Sequence, residues 1–454
     1  MTVENEAGLY TGPLDSGRSV RSNVAATFDI PAGSFWRLTV SRLTLSLLAV
    51  VASLVVTSLD ASADSNWPRW RGPLQDGHST ESGFPQEWTA KDVTWKAELP
   101  GDGQSSPVIW GDRIFLTAAL GGGRERVVFC VDRGNGQILW EKSLWKGEPE
   151  PTHKMNGHAS ATCVTDGQRV YAFFGFGGGL FCLSVNGDLL WKKPLGDFTG
   201  PWGTAACPVL VDDMVIQNCD SDGEAFLVAF DKVSGDVVWK IDRENNRCWS
   251  TPILIESGSR RELVLQGHTG VRGYDPKTGD ELWKVTGSSG RGTPTVTPGN
   301  DLLYVVPGRP GETYAIRAGG KGDVTSTHKA WSVLRKGRDL GSPIVMGDYV
   351  LLMGMKGGIL TCYNAKSGDE LWQERIGGNY SASPVAFDGR VAFISEEGEA
   401  LIVEPADVPK IIARNTIDSS DEEIFRASIT PSGGQLFIRS NSVLYCVGNK
   451  AFGR

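Results

Sequence analysis

The chain has 454 residues, of which 40% are hydrophobic and 22% are charged, a composition that excludes a mainly disordered protein. Its formal net charge of −8 argues against nucleic acid as a partner, because a polyanion is bound by basic surfaces. The 57 glycines, 23 prolines and 15 tryptophans indicate many turns and large aromatic packing groups, which together favour an all-β protein.

Residues 1–63 carry the pattern of an export signal. Arg37 and Arg42 precede an apolar run over residues 43–59, and Ala61-Ser62-Ala63 follows it as a small-residue cleavage pattern. We predict a signal peptide with a long n-region and an exported, periplasmic or extracytoplasmic location. The alternative is an uncleaved membrane anchor, because the apolar run lies at the short limit for a bilayer span.

Residues 64–91 are predicted to form an N-terminal strap. The run from Trp67 to Pro73 reads WPRWRGP, and two prolines so close together argue against a helix. We expect an extended segment that packs on the body of the protein and has a structural role.

The remainder of the chain repeats one hairpin. Residues 274–283 read YDPKTGDELW, and the pattern recurs at residues 364–372 and 231–239, with looser copies at 132–140 and 184–191. The aspartate can cap the turn, the glycine supplies a positive φ, and the tryptophan lies on the outgoing strand. Recurrence of one unit along a chain predicts a repeat architecture.

Each repeat is predicted to contain four strands, with the tryptophan on the fourth. The fourth strand of the seventh repeat, at residues 411–414, lacks the tryptophan, and the last repeat has only three strands. The strand at residues 92–99 can supply the missing one. We therefore predict an eight-bladed β-propeller of four-stranded antiparallel blades over residues 92–450, closed by this N-terminal strand; seven blades is the alternative. The blade-docking tryptophans are Trp95, Trp140, Trp191, Trp239, Trp283, Trp331 and Trp372.

The hairpin pattern D-x-x-[ST]-G-[DE]-x-x-W resembles the tryptophan-docking repeat of pyrroloquinoline quinone (PQQ)-like β-propellers. That superfamily includes the quinoprotein alcohol dehydrogenases and BamB-like proteins. The resemblance covers residues 92–450, and the opening WPRWRGP extends it to about residue 66. It implies that each tryptophan packs between neighbouring blades. A shared fold does not choose between an enzyme and a scaffold.

The resemblance also implies features that this sequence does not match. Quinoprotein dehydrogenases carry a disulfide between adjacent cysteines beside the cofactor, whereas no two of the eight cysteines here are adjacent. No local pattern matches the calcium ligands or the catalytic aspartate of that family. We therefore assign no cofactor, metal or catalytic residue, with PQQ plus calcium as the alternative. The cysteines could be free buried thiols or could form one or two disulfides.

One set of positions points to a binding site. In a propeller, the residues just before each first strand line one mouth of the central channel. Guanidinium groups suit carboxylates or phosphates, and rings suit planar ligands or peptide. The alternative is that the arginines pair with nearby acids such as Asp339 or Glu423 and simply lock the ring. The candidate funnel consists of His158, Trp202, Arg247, Trp249, Arg291, Arg338, Tyr380 and Arg426.

These observations predict an exported, monomeric PQQ-like propeller that acts as a non-catalytic, BamB-like binding or scaffold module. Its partner would be a protein, a peptide or an anionic small molecule, and not nucleic acid. Membrane contact is expected only through an uncleaved N-terminal segment. The alternative function is a PQQ-dependent quinoprotein oxidoreductase.

Overall fold

The computed structural model describes residues 65–198, 200–287 and 291–448. These residues form eight antiparallel sheets that follow one another along the chain. The predicted export signal lies outside the described residues. Within the described ranges, no helix is long and apolar enough to cross a membrane.

Each sheet is one blade, and its first strand is the innermost. The strands of blades 1 to 4 are Val108–Trp110, Arg113–Leu120, Glu125–Asp132 and Ile138–Lys146; Val164–Thr165, Arg169–Phe174, Gly179–Ser184 and Leu189–Lys193; Val209–Val211, Met214–Cys219, Phe226–Asp231 and Val237–Asp242; and Ile253–Ser257, Arg260–Gln266, Gly270–Tyr274 and Glu281–Thr286. The strands of blades 5 to 8 are Thr297–Gly299, Leu302–Val305, Gly311–Ile316 and Lys329–Arg335; Ile344–Met346, Tyr349–Met353, Ile359–Asn364 and Glu370–Arg375; Val385–Phe387, Arg390–Ile394, Ala400–Val403 and Ile411–Asn415; and Thr430–Ser432, Gln435–Arg439, Val443–Val447 and Val93–Glu98.

Among the described residues, helical structure is confined to short connections. The single-turn helix Thr325–His328 lies in the hairpin of blade 5, and 3-10 turns occur at Ala90–Asp92 and Gly121–Gly123. A short strand, Gly322–Asp323, adds in parallel to the outer edge of blade 4.

The ring closes through the N-terminal strand. Val93–Glu98 pairs antiparallel with Val443–Val447, and Trp95 lies opposite Cys446. The predicted eight-bladed propeller, closed by a strand from the other end of the chain, is confirmed. Closure leaves no blade without a neighbour, so the apolar faces of all eight are covered.

The hydrophobic core lies between the blades. One cluster of buried side chains joins blades 2 and 3 through residues such as Tyr171 and Phe230, and another joins blades 6 and 7 through Leu351 and Phe393. The inner strands of a blade are buried on both faces, as in Arg113–Leu120 and Arg169–Phe174, because each blade packs against a neighbour on either side.

Six of the seven predicted tryptophans donate a hydrogen bond from the indole N–H to a backbone carbonyl in the hairpin of the next blade. Trp331 in blade 5, for example, donates to the carbonyl of Ala365 in blade 6 at 2.9 Å. The hairpin glycine makes room for the ring: Gly368 has a φ of +78°, and a Cβ there would lie 2.5 Å from Trp331. The other five acceptors are Arg133 for Trp95, Val185 for Trp140, Lys232 for Trp191, Pro276 for Trp239 and Ala406 for Trp372.

Trp283 differs from the other six, although it ends the best copy of the sequence pattern. Its indole N–H donates to Glu262 Oε2 within its own blade at 2.6 Å. The ring is fully buried and lies over Gly273, where a Cβ would meet it at 2.3 Å. The next blade does not offer the usual acceptor, because its hairpin is the longer connection that contains Thr325–His328.

The strap runs across one face of the ring. This face carries the C-terminal end of each first strand. Trp67 of the strap pairs there with Ile109 of blade 1 through two hydrogen bonds of 2.9 Å. The strap makes hydrogen bonds to seven of the eight blades in the described part of the chain. It therefore covers this end of the central channel. The further contacts are Pro68 with Thr165, Arg69 with Leu210, Gln75 with Leu254, Arg71 with Pro343, Gly77 with Ala386 and Glu81 with Gly433.

Candidate functional site

The channel is open at the face opposite the strap and forms a cavity of about 200 Å³, which we call the well. Trp70 of the strap lines it, together with residues that precede the first strands and residues of the long loop between blades 1 and 2. Since the strap lies across the other end, the described residues leave the open face as the route for a ligand into the well.

Eight residues at one repeat position encircle the channel just before the first strands. The backbone N–H of one residue donates to the side-chain oxygen or sulfur of its counterpart in the next blade, at 2.9–3.3 Å, in seven of the eight steps among the described residues. This explains why Ser, Thr and Cys recur at this position. The ring residues are Ser106, Thr162, Cys207, Thr251, Thr295, Ser342, Ser383 and Ser428.

Five of the eight predicted funnel residues line the well: Trp202, Trp249, Arg291, Arg338 and Arg426. The chain topology brings them together because each lies in the segment that leads into a first strand, at the open end of the channel.

The other three funnel residues do not line the well. His158 points back toward blade 1, where its Nδ1 lies 3.5 Å from Glu150 Oε1. Arg247 forms an ion pair with Asp222 and lies in a crevice behind Trp202. Tyr380 is 2% exposed and belongs to the core between blades 6 and 7.

Arg309 is a lining residue that sequence reasoning missed. It lies between the second and third strands of blade 5, a connection that also reaches the open face. The proline-rich run Pro307-Gly308-Arg309-Pro310 was the available signal, because it marks a tight turn at that end of the blade.

The arginines Arg291, Arg309 and Arg338 have no carboxylate partner in the described part of the chain. Loss of hydration, and then the positive charges of Arg291 and Arg338, lower the pKa of Arg309. Desolvation, followed by the charges of Arg291 and Arg309, likewise lowers the pKa of Arg247. The like charges therefore act on one another, and a bound anion would relieve this repulsion.

The expected lock by acidic residues forms only in part. Arg426 Nε donates to Glu396 Oε1 at 3.1 Å. Asp339 instead binds Arg335, and Glu423 accepts hydrogen bonds from the hydroxyl of Tyr445. These acids therefore leave the basic side of the well unneutralised.

The aromatic wall is fixed by stacking and hydrogen bonds. His153 stacks on Trp202 with ring centroids 4.3 Å apart, and the guanidinium of Arg291 lies 5.7 Å from the same ring. Asn156 Nδ2 donates to the carbonyl of Trp202 at 2.7 Å, and Trp249 Nε1 donates to that of Gly203 at 2.8 Å. A planar group could contact these rings while its charge met the guanidinium groups.

All eight cysteines are unpaired and buried. Burial raises the pKa of Cys163 and of Cys362 to about 12, so these thiols stay protonated at neutral pH. Of the two possibilities that the sequence left open, the structure has free thiols.

Thiol titration should reproduce this state. We expect almost no reaction of the folded chain with a disulfide reagent at pH 8, because the thiolate form is scarce and the sulfurs are enclosed. After unfolding without reductant, all eight thiols should react. Recovery of only four to six thiols after unfolding would show that disulfides form, and rapid reaction before unfolding would contradict the burial.

The sequence model of a protein family described as outer membrane protein assembly factor BamB matches residues 87–206, 124–302 and 223–450. Together these matches cover most of the chain. The chain belongs to this family. Its propeller and its closed ring of PQQ-like repeats are the features that it shares with the family.

Similarity to individual BamB proteins is moderate. This BamB-family chain is 24% identical over 286 residues to the outer membrane protein assembly factor BamB of Burkholderia pseudomallei, covering 62% of this chain and 68% of that protein. The crystal structure of BamB from Moraxella catarrhalis superposes with a TM-score of 0.57 at 17% identity, covering 80% of this chain and 98% of that one. At this identity the structural match shows the fold alone.

The chain is also similar to a dehydrogenase. The chain is 22% identical over 270 residues to a polyvinylalcohol dehydrogenase of a Pseudomonas species, which is 55% of this chain. It spans only 37% of that enzyme's length. The similar proteins therefore include a named assembly factor and a named dehydrogenase.

Proposed function

We propose that this BamB-family chain is a non-catalytic binding and scaffold propeller whose well takes an anionic group. The observation that carries the proposal is the cluster of Arg291, Arg309 and Arg338, three guanidinium groups without a carboxylate partner in the described residues, at the mouth of an aromatic-walled cavity. A cluster of like charges costs free energy, and an anion that enters the well offsets this cost.

The dimensions of the well limit what can bind. A cavity of about 200 Å³ holds one small molecule, one large side chain or the end of a peptide. A planar acid fits best, because its ring can lie against Trp202 or Trp249 while its carboxylate meets Arg291 or Arg338. A partner protein could fill the same space with an acidic or C-terminal residue.

Binding of 2-naphthoate tests the well directly. We expect the acid to bind at least about tenfold more tightly than its neutral amide, 2-naphthamide, since a charge-assisted hydrogen bond contributes about 1.5–3 kcal/mol. The double variant Arg291→Ala/Arg338→Ala should lose this difference. Calorimetry, or quenching of tryptophan fluorescence, gives both affinities.

A matched control removes an arginine elsewhere. Arg261 lies in blade 4 at the strap face and pairs with Asp212 at 2.8 Å, so Arg261→Ala should bind both probes as the parent does. Thermal unfolding of each variant checks that the fold is intact. Equal binding of the acid and the amide by the parent chain would remove the well as an anion site.

The scaffold part of the proposal rests on the family. The similar proteins of Burkholderia pseudomallei and Moraxella catarrhalis are both named BamB, the first as an outer membrane protein assembly factor. We infer a protein partner and an extracytoplasmic location for this chain, in agreement with the export pattern of residues 1–63.

A quinoprotein oxidoreductase is the second candidate, favoured by the similarity to a polyvinylalcohol dehydrogenase. The residues around the well do not fit a calcium-bound quinone. Glu396 forms an ion pair with the lining residue Arg426. The described residues contain no group of three or more acids, histidines or cysteines that could hold a metal ion. We derive no redox step from this site. Dye-linked oxidation of an alcohol after addition of PQQ and calcium would overturn the non-catalytic proposal.

A further inference from the structure

A groove between blades 5 and 6 borders the well; we call it the side groove. Its volume is about 690 Å³, and its walls are the segment that follows the fourth strand of blade 5, the turn between the second and third strands of blade 6, and the fourth strand of blade 6. Arg338 lines both the side groove and the well. The backbone N–H of Met355 donates to the carbonyl of Arg338 at 2.8 Å and holds the turn of blade 6 at this junction. The two cavities therefore meet at Arg338.

The side groove is basic, although the chain as a whole carries a net charge of −8. It is lined by five cations and one acid, Glu370. One of the cations, Arg335, is neutralised by the buried carboxylate of Asp339. The remaining four form no ion pair in the described part of the chain, so a partner meets uncompensated positive charge here. They are Lys336, Arg338, Lys356 and Arg375.

The crevice between blades 3 and 4 is built in the same way but is acidic. In both places an arginine at the end of the outer strand donates to the hydroxyl of a third-strand tyrosine in the next blade. The pairs are Arg243 with Tyr274 there and Arg335 with Tyr363 in the side groove. The crevice between blades 3 and 4 is lined by five acids, two arginines and one histidine. The blade architecture therefore does not require cations at this position, and the charge of the side groove indicates a separate, binding role.

The path from the rim of the ring to the well has the length of a short peptide. Leu334 is 85% exposed near the end of the outer strand of blade 5, and it lines the side groove together with Ile359 of blade 6. The first and fourth strands of a four-stranded blade are separated by three inter-strand spacings, which amounts to roughly 14 Å. An extended chain covers this distance with about four residues, at about 3.3 Å each.

The well is where this path ends. Trp70 lines it and the strap lies across its far side, so a chain that arrives along the side groove must stop or turn there. A C-terminal residue suits this place. Its carboxylate can meet Arg291 and Arg338, while its side chain lies against Trp202 or Trp249.

We propose that the well and the side groove form one binding site for the acidic C-terminal segment of a partner protein. The terminal residue occupies the well, and acidic side chains of the residues before it pair with Lys336, Lys356 and Arg375. An apolar side chain of the segment covers Leu334. This inference rests on the proposed function of the well, and it adds the class of partner and the path along which the partner lies.

A short acidic peptide provides the first test. The probe is Glu-Asp-Leu-Glu-Phe with fluorescein at its amino end and a free C-terminal carboxylate, and fluorescence anisotropy gives its affinity for the full chain. We expect it to bind at least about tenfold more tightly than its C-terminal amide, because only the free carboxylate makes charge-assisted hydrogen bonds in the well. Replacing its acids by Gln and Asn should also weaken binding by at least about tenfold, and added salt should reduce this difference.

Charge reversal in the side groove tests the path of the peptide. The double variant Lys336→Glu/Lys356→Glu should bind the acidic peptide at least about tenfold more weakly, because two attractions become repulsions. The matched control Lys192→Glu/Lys277→Glu makes the same change of net charge at two exposed lysines that line neither cavity, and it should bind the peptide nearly as the parent does. A peptide with lysines in place of the acids should prefer the side-groove variant to this control. Thermal unfolding checks that both double variants are folded.

Three results would overturn the proposal: equal binding of the acidic peptide by the two double variants, equal binding of the C-terminal acid and amide by the parent, and binding of a single-stranded DNA oligonucleotide as tight as that of the peptide. Binding of 2-naphthoate should be unchanged in the side-groove variant, whereas Arg291→Ala/Arg338→Ala should weaken the binding of both probes. Failure of the side groove and failure of the well can therefore be told apart.

Discussion

Replacing Gly368 by alanine is expected to destabilise the propeller by about 2–5 kcal/mol. The residue has a φ of +78°, which costs an L-amino acid about 1–2 kcal/mol. The added Cβ would also lie 2.5 Å from the ring of Trp331, so the tryptophan of blade 5 would have to move out of its position on blade 6. Overpacking of this kind costs about 1–3 kcal/mol more. Urea unfolding of the full chain measures the change.

Gly347→Ala separates the two contributions. Gly347 lies in the same blade with a φ of +57°, but a Cβ there meets nothing within 4 Å. Its replacement should cost only the backbone term of about 1–2 kcal/mol. Equal losses in the two variants would mean that the tryptophan contact does not limit the choice of residue in the hairpin.

Asp339→Ala should destabilise the chain by about 3–5 kcal/mol, because it leaves a buried guanidinium without its counter-ion. Arg335 binds both oxygens of Asp339, at 2.9 and 3.1 Å, and donates to the hydroxyl of Tyr363 at 2.9 Å. The side chains of Arg335 and Asp339 are 6% and 1% exposed. Thermal or urea unfolding gives the loss of stability.

The control for this variant is an ion pair in water. Glu148→Ala breaks the pair of Arg124 and Glu148, whose side chains are 63% and 83% exposed. Such pairs contribute about 0–1 kcal/mol. A loss for Asp339→Ala as small as that for Glu148→Ala would show that water reaches the Arg335 guanidinium in the folded chain.

The fold could be predicted from the sequence because one local unit is repeated. The turn that contains Gly279 and the strand that carries Trp283 predict a hairpin. The recurrence of this hairpin along the chain gives the number of blades. Ring closure could also be predicted from the sequence. Residues 92–99 have the pattern of a fourth strand but no first three strands before them, and the last repeat lacks a fourth strand. What could not be seen was the partner of each tryptophan. Trp283 has the best sequence pattern, yet it bonds to Glu262, because the hairpin of the next blade is a longer connection.

The well was predicted less completely. Positions before the first strands gave Trp202, Trp249, Arg291, Arg338 and Arg426, since chain topology places them at the open face. Sequence position does not give side-chain direction. His158 therefore turned out to face Glu150, and Tyr380 to lie in the core between two blades.

The ring, its eight blades and the face that carries the positions before the first strands could all be predicted from the sequence. These depend on turn chemistry and on the spacing of apolar residues, which are local properties of the chain. Which arginines remain without a counter-ion among the described residues could be seen only in the folded chain, because ion pairing depends on residues from different blades. Arg247 and Arg426 are neutralised by Asp222 and Glu396, whereas Arg291 and Arg338 are not neutralised by any described carboxylate.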